Sequence, residues 1–210
     1  MIGILDYGMG NLRSVQKAFD QLGGTRAVVV ADPHEITGCE KLVLPGVGNF
    51  ADGMMHLRDR DFAEPITEFV GSGRPLLGIC MGMQLLLDHS TEDAEADPIP
   101  GLGLVPGKVV RFQEDQGPDQ PRLKVPHMGW NKLDARDNSP LLAGLGDEPF
   151  VYFVHGYYCV PADDAVVAAT ATYGSPFCAA LHTGNIWATQ FHPEKSQQVG
   201  LQILDNFAAL

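Results

Sequence analysis

Residues 76–87 read LLGICMGMQLLL: a short run with the character of a buried strand, a tight turn, then an apolar helix pattern. Inside it, Gly78 to Gly82 spell G-I-C-M-G, the G-x-C-x-G form of a nucleophile elbow with cysteine in place of serine. Glycines on either side let the chain turn sharply and let strand and helix approach closely. A helix opening near Met81 sets partial positive charge beside the sulfur and favours thiolate. It also turns the Met81 N–H toward any oxyanion formed at the thiolate's target. Cys80 is therefore the candidate nucleophile.

Upstream of this turn, Ile2 to Leu5, Ala27 to Ala31 and Lys41 to Leu44 read as short apolar strands. Asn11 to Leu22 and Phe62 to Val70 read as helices, closed by Gly23 and Gly24 and by Gly71 and Gly73. This β–α alternation predicts parallel strands with helices on both faces. Downstream, residues 108–112, 150–160, 165–173, 177–182 and 186–191 are β-rich, with hairpin breaks at Gly174 and at Thr183 to Asn185. Residues 91–101 and 114–121 are acidic loops, and a last helix runs from about Ser196 to Leu210. The expectation is an α/β fold whose central sheet is mixed and mostly parallel, with helices on both faces and antiparallel strands added. No linker marks a boundary, so residues 1–210 are expected to form a single domain.

The chain carries 14 Lys plus Arg against 26 Asp plus Glu, a formal charge of −12, with no basic cluster. That disfavours a nucleic-acid partner. The longest apolar stretch, Pro75 to Leu87, is too short to span a bilayer, and MIGILDYG lacks a basic region and cleavage site. A cytoplasmic chain without membrane contact is expected. Its four cysteines, at 39, 80, 159 and 178, form no C-x-x-C pair, which argues against a zinc site or a disulfide framework. Cys39, Cys159 and Cys178 read as small buried hydrophobes. No metal and no cofactor are expected.

A nucleophilic cysteine needs a base, and the base an orienting acceptor. Of seven histidines, His192 stands out in QFHPEKS, residues 190–196, after an apolar strand and before the last helix. Residues two apart in extended structure face the same way, so Glu194 can hold one imidazole nitrogen while the other faces Cys80. Pro193 disfavours helix between them. In LPGVGNF, residues 44–50, Gly46 and Gly48 permit a bent loop whose N–H groups can point into a cleft. Gly8 and Gly10 resemble half of a dinucleotide fingerprint, but Arg13 occupies the third glycine position and the signal is weak.

With Cys80, His192, Glu194 and this loop in hand, the chain resembles a class I glutamine amidotransferase. Within that class it is most similar to the glutaminase subunits of imidazole glycerol phosphate synthases, in histidine biosynthesis. The similar stretches run nearly end to end: DYGMGNLRSV (6–15), LPGVGNFADGM (44–54), GICMGMQLL (78–86), GLGLVPGKVVRF (101–112), PHMGWN (126–131), YFVHGYY (152–158) and QFHPEKS. The cysteine and H-P-E patterns belong to the whole class; DYGMGN, PHMGWN and YFVH are narrower. The chain departs at Gly156, where many relatives are expected to carry a small hydroxyl residue.

The resemblance implies a triad of Cys80, His192 and Glu194, with an oxyanion site at Val47, Gly48 and Met81. It implies that Gln84 and His155 hold substrate glutamine, that Tyr152 and Lys195 stand at the entrance to an ammonia passage, and that Asn11, Met128, Gly129 and Trp130 face the synthase partner. That partner would be a (β/α)8-barrel subunit in a heterodimer, for which 210 residues already filled by the glutaminase pattern leave no room. The nearest rival is the glutaminase subunit of another pathway, such as pyridoxal phosphate synthase; PHMGWN and YFVHGYY argue against it. A catalytically silent regulatory subunit would tolerate loss of the triad, yet all three residues are present.

Overall fold

The computed structural model describes residues 1–24, 26–92, 97–117, 122–136 and 139–210. Its first half comprises β1 (Ile2–Leu5), α1 (Leu12–Asp20), β2 (Ala27–Val30), β3 (Lys41–Gly46), α2 (Phe50–Asp59), α3 (Ala63–Gly71), β4 (Leu76–Cys80), α4 (Met81–Leu85) and β5 (Leu87–Ser90). Then follow β6 (Ile99–Pro100), β7 (Val105–Arg111), β8 (His127–Lys132), β9 (Asp134–Ala135), β10 (Phe150–His155) and β11 (Tyr157–Pro161). The chain ends with β12 (Val167–Tyr173), β13 (Ser175–Thr183), β14 (Ile186–Thr189) and α5 (Gln197–Ala209).

The central sheet has the order β2-β1-β3-β4-β14-β13-β12-β9. Its first five strands pair in parallel and the rest antiparallel, giving the mixed sheet expected. Side chains alternate across it. Ile2, Ile4, Val43, Leu77 and Ile79 pack on one face with Val15 and Phe19 of α1 and with Ile203 and Phe207 of α5. Leu5, Leu42, Leu44 and Leu76 pack on the other with Phe50 and Leu57 of α2 and with Ile66 and Phe69 of α3. Each such side chain, wholly removed from water, contributes roughly 1.5–3 kcal/mol. Two smaller sheets, β10-β8 and β11-β7-β5-β6, lie outside the main one.

Several sequence expectations change. The helix after Cys80 is a single turn of five residues, because the chain leaves it at Leu87 to pair with β7. Residues 150–160 form two strands, broken at Gly156 and shared between the two smaller sheets. Helix α2 and strands β5, β6, β8 and β9 were not foreseen, and β6 falls inside the stretch 91–101 expected as a loop. The acidic stretches 91–101 and 114–121 lie partly outside the described residues, at 93–96 and 118–121.

Parallel pairing brings several strand ends to one edge. Gly46 stands opposite Cys80 across β3 and β4, and Thr189 opposite Ile79 across β4 and β14. The loops after β1, β3, β4 and β14 therefore gather at the carboxyl ends of the strands, where open α/β sheets bind ligands.

Candidate active site

Cys80 ends β4 with φ 56° and ψ −113°, a conformation that L-residues rarely adopt. The glycines beside it explain how the turn closes. A Cβ on Gly82 would lie 1.8 Å from the Leu44 carbonyl oxygen, and one on Gly78 would lie 3.0 Å from the Gly82 oxygen. Gly46 is pressed as well, since its Cβ would meet the Gly82 nitrogen at 2.8 Å. With α4 only one turn long, any field at the sulfur is local and owes little to a long helix dipole.

His192 and Glu194 meet through a bend other than the extended one expected. Pro193–Lys195 is a 3-10 turn with proline at its first position, where the missing N–H costs nothing. The turn folds Glu194 back so that its Oε1 accepts from His192 Nδ1 at 2.8 Å. Both side chains are buried. Glu194 Oε2 has no hydrogen-bond partner among the described residues. His192 Nε2 is also buried; the Cys80 sulfur is near enough to stabilise its proton without completing a well-aligned hydrogen bond. Burial opposes charge on the imidazole, but Cys80 and Glu194 outweigh it and raise the His192 pKa.

The His192 backbone is clamped as well. Its N–H donates to Tyr152 O at 3.0 Å, and Ser196 Oγ donates to His192 O at 2.6 Å while accepting from Tyr152 N–H at 3.0 Å. Tyr152 lies beside Lys195, whose Nζ sits 5.8 Å from the ring centroid.

A cleft of about 190 Å³ joins Cys80 and His192 to Val47, Gly48, Met81, Gln84 and His155, with Glu92, Gly156 and Tyr157 also on its wall. The expected nucleophile, base, oxyanion loop and glutamine-holding residues thus share one cavity. A larger, shallow depression of about 810 Å³ lies along residues 132–136 and 139–149, away from this chemistry. Gly48 has φ +105°, which only glycine adopts without strain. Gln84 donates from Nε2 both to Tyr157 O at 3.0 Å and to Gln190 Oε1 at 3.1 Å. Three residues on or behind this wall escaped the sequence reading. Glu92, hidden in an acidic loop, accepts from Phe50 N–H at 2.8 Å. Tyr157 contributes its backbone carbonyl, and Gln190 is buried behind the cleft.

His155 and His127 form a buried pair. His155 Nδ1 donates to Tyr157 O at 2.8 Å, so its Nε2 accepts, and His127 Nδ1 at 3.2 Å donates to it. Burial lowers their pKa values, to about 3 for His155 and about 4 for His127. Both rings are therefore neutral at pH 7. The other cysteines are buried and unbridged, and burial pushes up the thiol pKa of Cys39, Cys159 and Cys178.

The expected partner face is exposed. Met128 is 64% and Trp130 47% accessible on β8, with Gly129 between them at φ +137°. Asn11 caps the start of α1, its carbonyl accepting from Ser14 and Val15, while its side chain makes no capping bond.

Fold and cleft together define a class, and the chain belongs to it: the family model for glutamine amidotransferase class-I matches residues 3–209. A crystal structure described as a glutamine amidotransferase superposes with a TM-score of 0.73 at 22% identity, covering 100% of this chain and 99% of that one. Sequence relatives narrow the class to the HisH subunits. The chain is 56% identical over 207 residues to "Imidazole glycerol phosphate synthase subunit HisH" of Syntrophotalea carbinolica, covering 99% of this chain and 98% of that protein. The HisH subunit of Geobacter sulfurreducens is 54% identical over 209 residues, covering 100% and 98%.

Proposed function

We propose that this chain is the glutaminase subunit of an imidazole glycerol phosphate synthase, acting as one glutamine amidotransferase domain over residues 1–210. The observation that carries the reading is that Cys80 and His192 line one cleft while Glu194, outside it, holds the imidazole through a 2.8 Å bond to His192 Nδ1. Cys80 thiolate attacks the side-chain amide carbon of L-glutamine. Backbone N–H groups of Met81 and the Val47–Gly48 loop stabilise the tetrahedral oxyanion. His192 protonates the departing nitrogen and ammonia leaves. His192 then takes a proton from water, which attacks the glutamyl thioester and releases glutamate and the thiolate. Glu194 keeps the imidazole in the useful tautomer throughout.

Ammonia passes Tyr152 and Lys195 to a separate (β/α)8-barrel synthase bound at Asn11, Met128, Gly129 and Trp130. The lyase-type, ring-forming step, which yields imidazole glycerol phosphate and an aminoimidazole carboxamide ribotide, belongs to that partner. The identities of 56% and 54% to HisH subunits favour this pathway over other glutaminases.

A diazoketone analogue of glutamine tests the nucleophile. One adduct should form and map to Cys80; adduct on Cys39, Cys159 or Cys178 instead would sink the assignment. Cys80→Ser should abolish glutamate release while the circular dichroism spectrum is kept.

A further inference from the structure

Gln190 follows β14 directly, is fully buried, and is used by none of the steps above. Its orientation follows from the groups around it. The Tyr157 carbonyl can only accept, so the end of the Gln84 amide that lies 3.0 Å from it must be the NH2. The second Gln84 N–H reaches Gln190 at 3.1 Å, so the atom it meets must be the acceptor, Oε1. That leaves Gln190 Nε2 facing the catalytic sulfur, 3.9 Å from Cys80 Sγ. Flipping either amide would set like groups against each other. One backbone carbonyl thereby fixes a directional chain of two buried amides that ends on the nucleophile. The Gln190 backbone is held too, its N–H donating to Ala179 O at 2.8 Å.

We propose that Gln190 is a positioning residue for the nucleophile: its amide N–H donates to the Cys80 sulfur and holds the thiolate facing the cleft. The inference rests on Cys80 being that nucleophile. A bond of this kind is weak to a neutral thiol and strengthens when the sulfur is charged. It also divides the work at the sulfur, leaving His192 free to move a proton while Gln190 holds the atom in place. The ionisable groups around Cys80 are His192 from the segment after β14, Tyr7 from the loop after β1, Cys159 from β11, and Glu92 and His155 on the cleft wall. A substitution at 190 removes none of them.

The test is the pH dependence of Cys80 alkylation by iodoacetamide in the full chain, with adducts mapped by peptide mass spectrometry and thermal melting reporting the fold. Gln190→Met keeps the volume and removes the donor. Its alkylation midpoint should move to higher pH, with the rate below the midpoint falling about threefold to tenfold. Gln190→Glu should move it further, because a carboxylate beside a thiolate disfavours the charge. Folded variants with the wild-type midpoint would overturn the proposal. If neither variant folds, Gln84→Met removes the donor that orients Gln190; a midpoint shift in the same direction supports the role, and an unchanged one overturns it. Wild-type protein whose adducts map away from Cys80, or whose Cys80 is not protected by glutamine, would instead remove the nucleophile reading beneath it.

Discussion

Trp130 and Tyr152 are direct partners across the β8–β10 ladder, their rings 6.2 Å apart and inclined at 70°. One is half exposed on the surface; the other accepts from the His192 N–H with its C=O and donates its own N–H to Ser196 Oγ, which in turn donates to His192 O. Between the expected partner face and the proposed catalytic base there is thus one cross-strand pair.

Trp130→Ala should weaken binding of the synthase partner by about 2 kcal/mol or more, the range of an interface hot spot. The isolated variant should melt close to wild type, since the indole is 47% accessible. Titration calorimetry with the partner, beside a thermal melt, checks both. A variant that unfolds alone while its folded fraction binds normally would assign Trp130 to the core.

The isolated chain should be a poor glutaminase that the partner and its synthase ligand activate. Gly48, at φ +105°, lets one peptide of the oxyanion loop rotate at little steric cost. A donor turned away at rest removes roughly 3–4 kcal/mol of transition-state stabilisation, two to three decades in rate. Partner binding should restore it by favouring the active loop. The measurement is steady-state glutamate release from the chain alone, with partner, and with partner plus ligand. Equal turnover in all three would falsify the coupling and leave the Cys80 chemistry standing.

Much of this was legible in sequence. The parallel strands announce themselves by short apolar runs, and both halves of the proposed triad sit in local patterns, G-x-C-x-G and H-P-E. Strand β8 was not legible because its pattern is inverted: Met128 and Trp130 face solvent while His127 is buried. A strand that turns its apolar residues outward looks like a loop until its partner is considered. Helix α2 carries a readable start, with Asn49 accepting from Asp52 N–H at 2.8 Å, but Gly53 weakens the helical signal. Glu92, Tyr157 and Gln190 could not be found from spacing. They reach the site through tertiary approach, Tyr157 with its backbone carbonyl.

Gly156→Ser should be tolerated and add a hydroxyl to the cleft. Among the described residues a Cβ there would meet only Val125 Cγ1, at 3.3 Å, a contact the side chain can relieve. One hydrogen bond to glutamine would lower KM by about twofold to tenfold with little change in kcat. Steady-state kinetics of the two forms decide; a raised KM or a lost fold would show the position is closed to side chains.

Stability should fall early on acidification. His155 and His127 have folded pKa values of about 3 and about 4, below their ordinary 6.5, so the unfolded chain binds more protons beneath pH 6.5. Stability is therefore lost progressively from about pH 6.5 toward 3. His192 behaves oppositely: its raised pKa contributes stability below the unfolded value that disappears as pH rises through the folded one. Urea midpoints across pH should decline on both sides. His127→Phe, whose ring can keep the stack with Phe153 and Tyr173, should flatten the acid limb.

Cys80 holds a backbone angle better suited to glycine, at a cost of order 1–3 kcal/mol. Selection for durability and selection for turnover therefore pull this codon in opposite directions. A population of variants screened only for survival on heating should drift toward glycine at position 80 and arrive at a sturdier, inert protein. Only a demand for ammonia keeps the cysteine where it is.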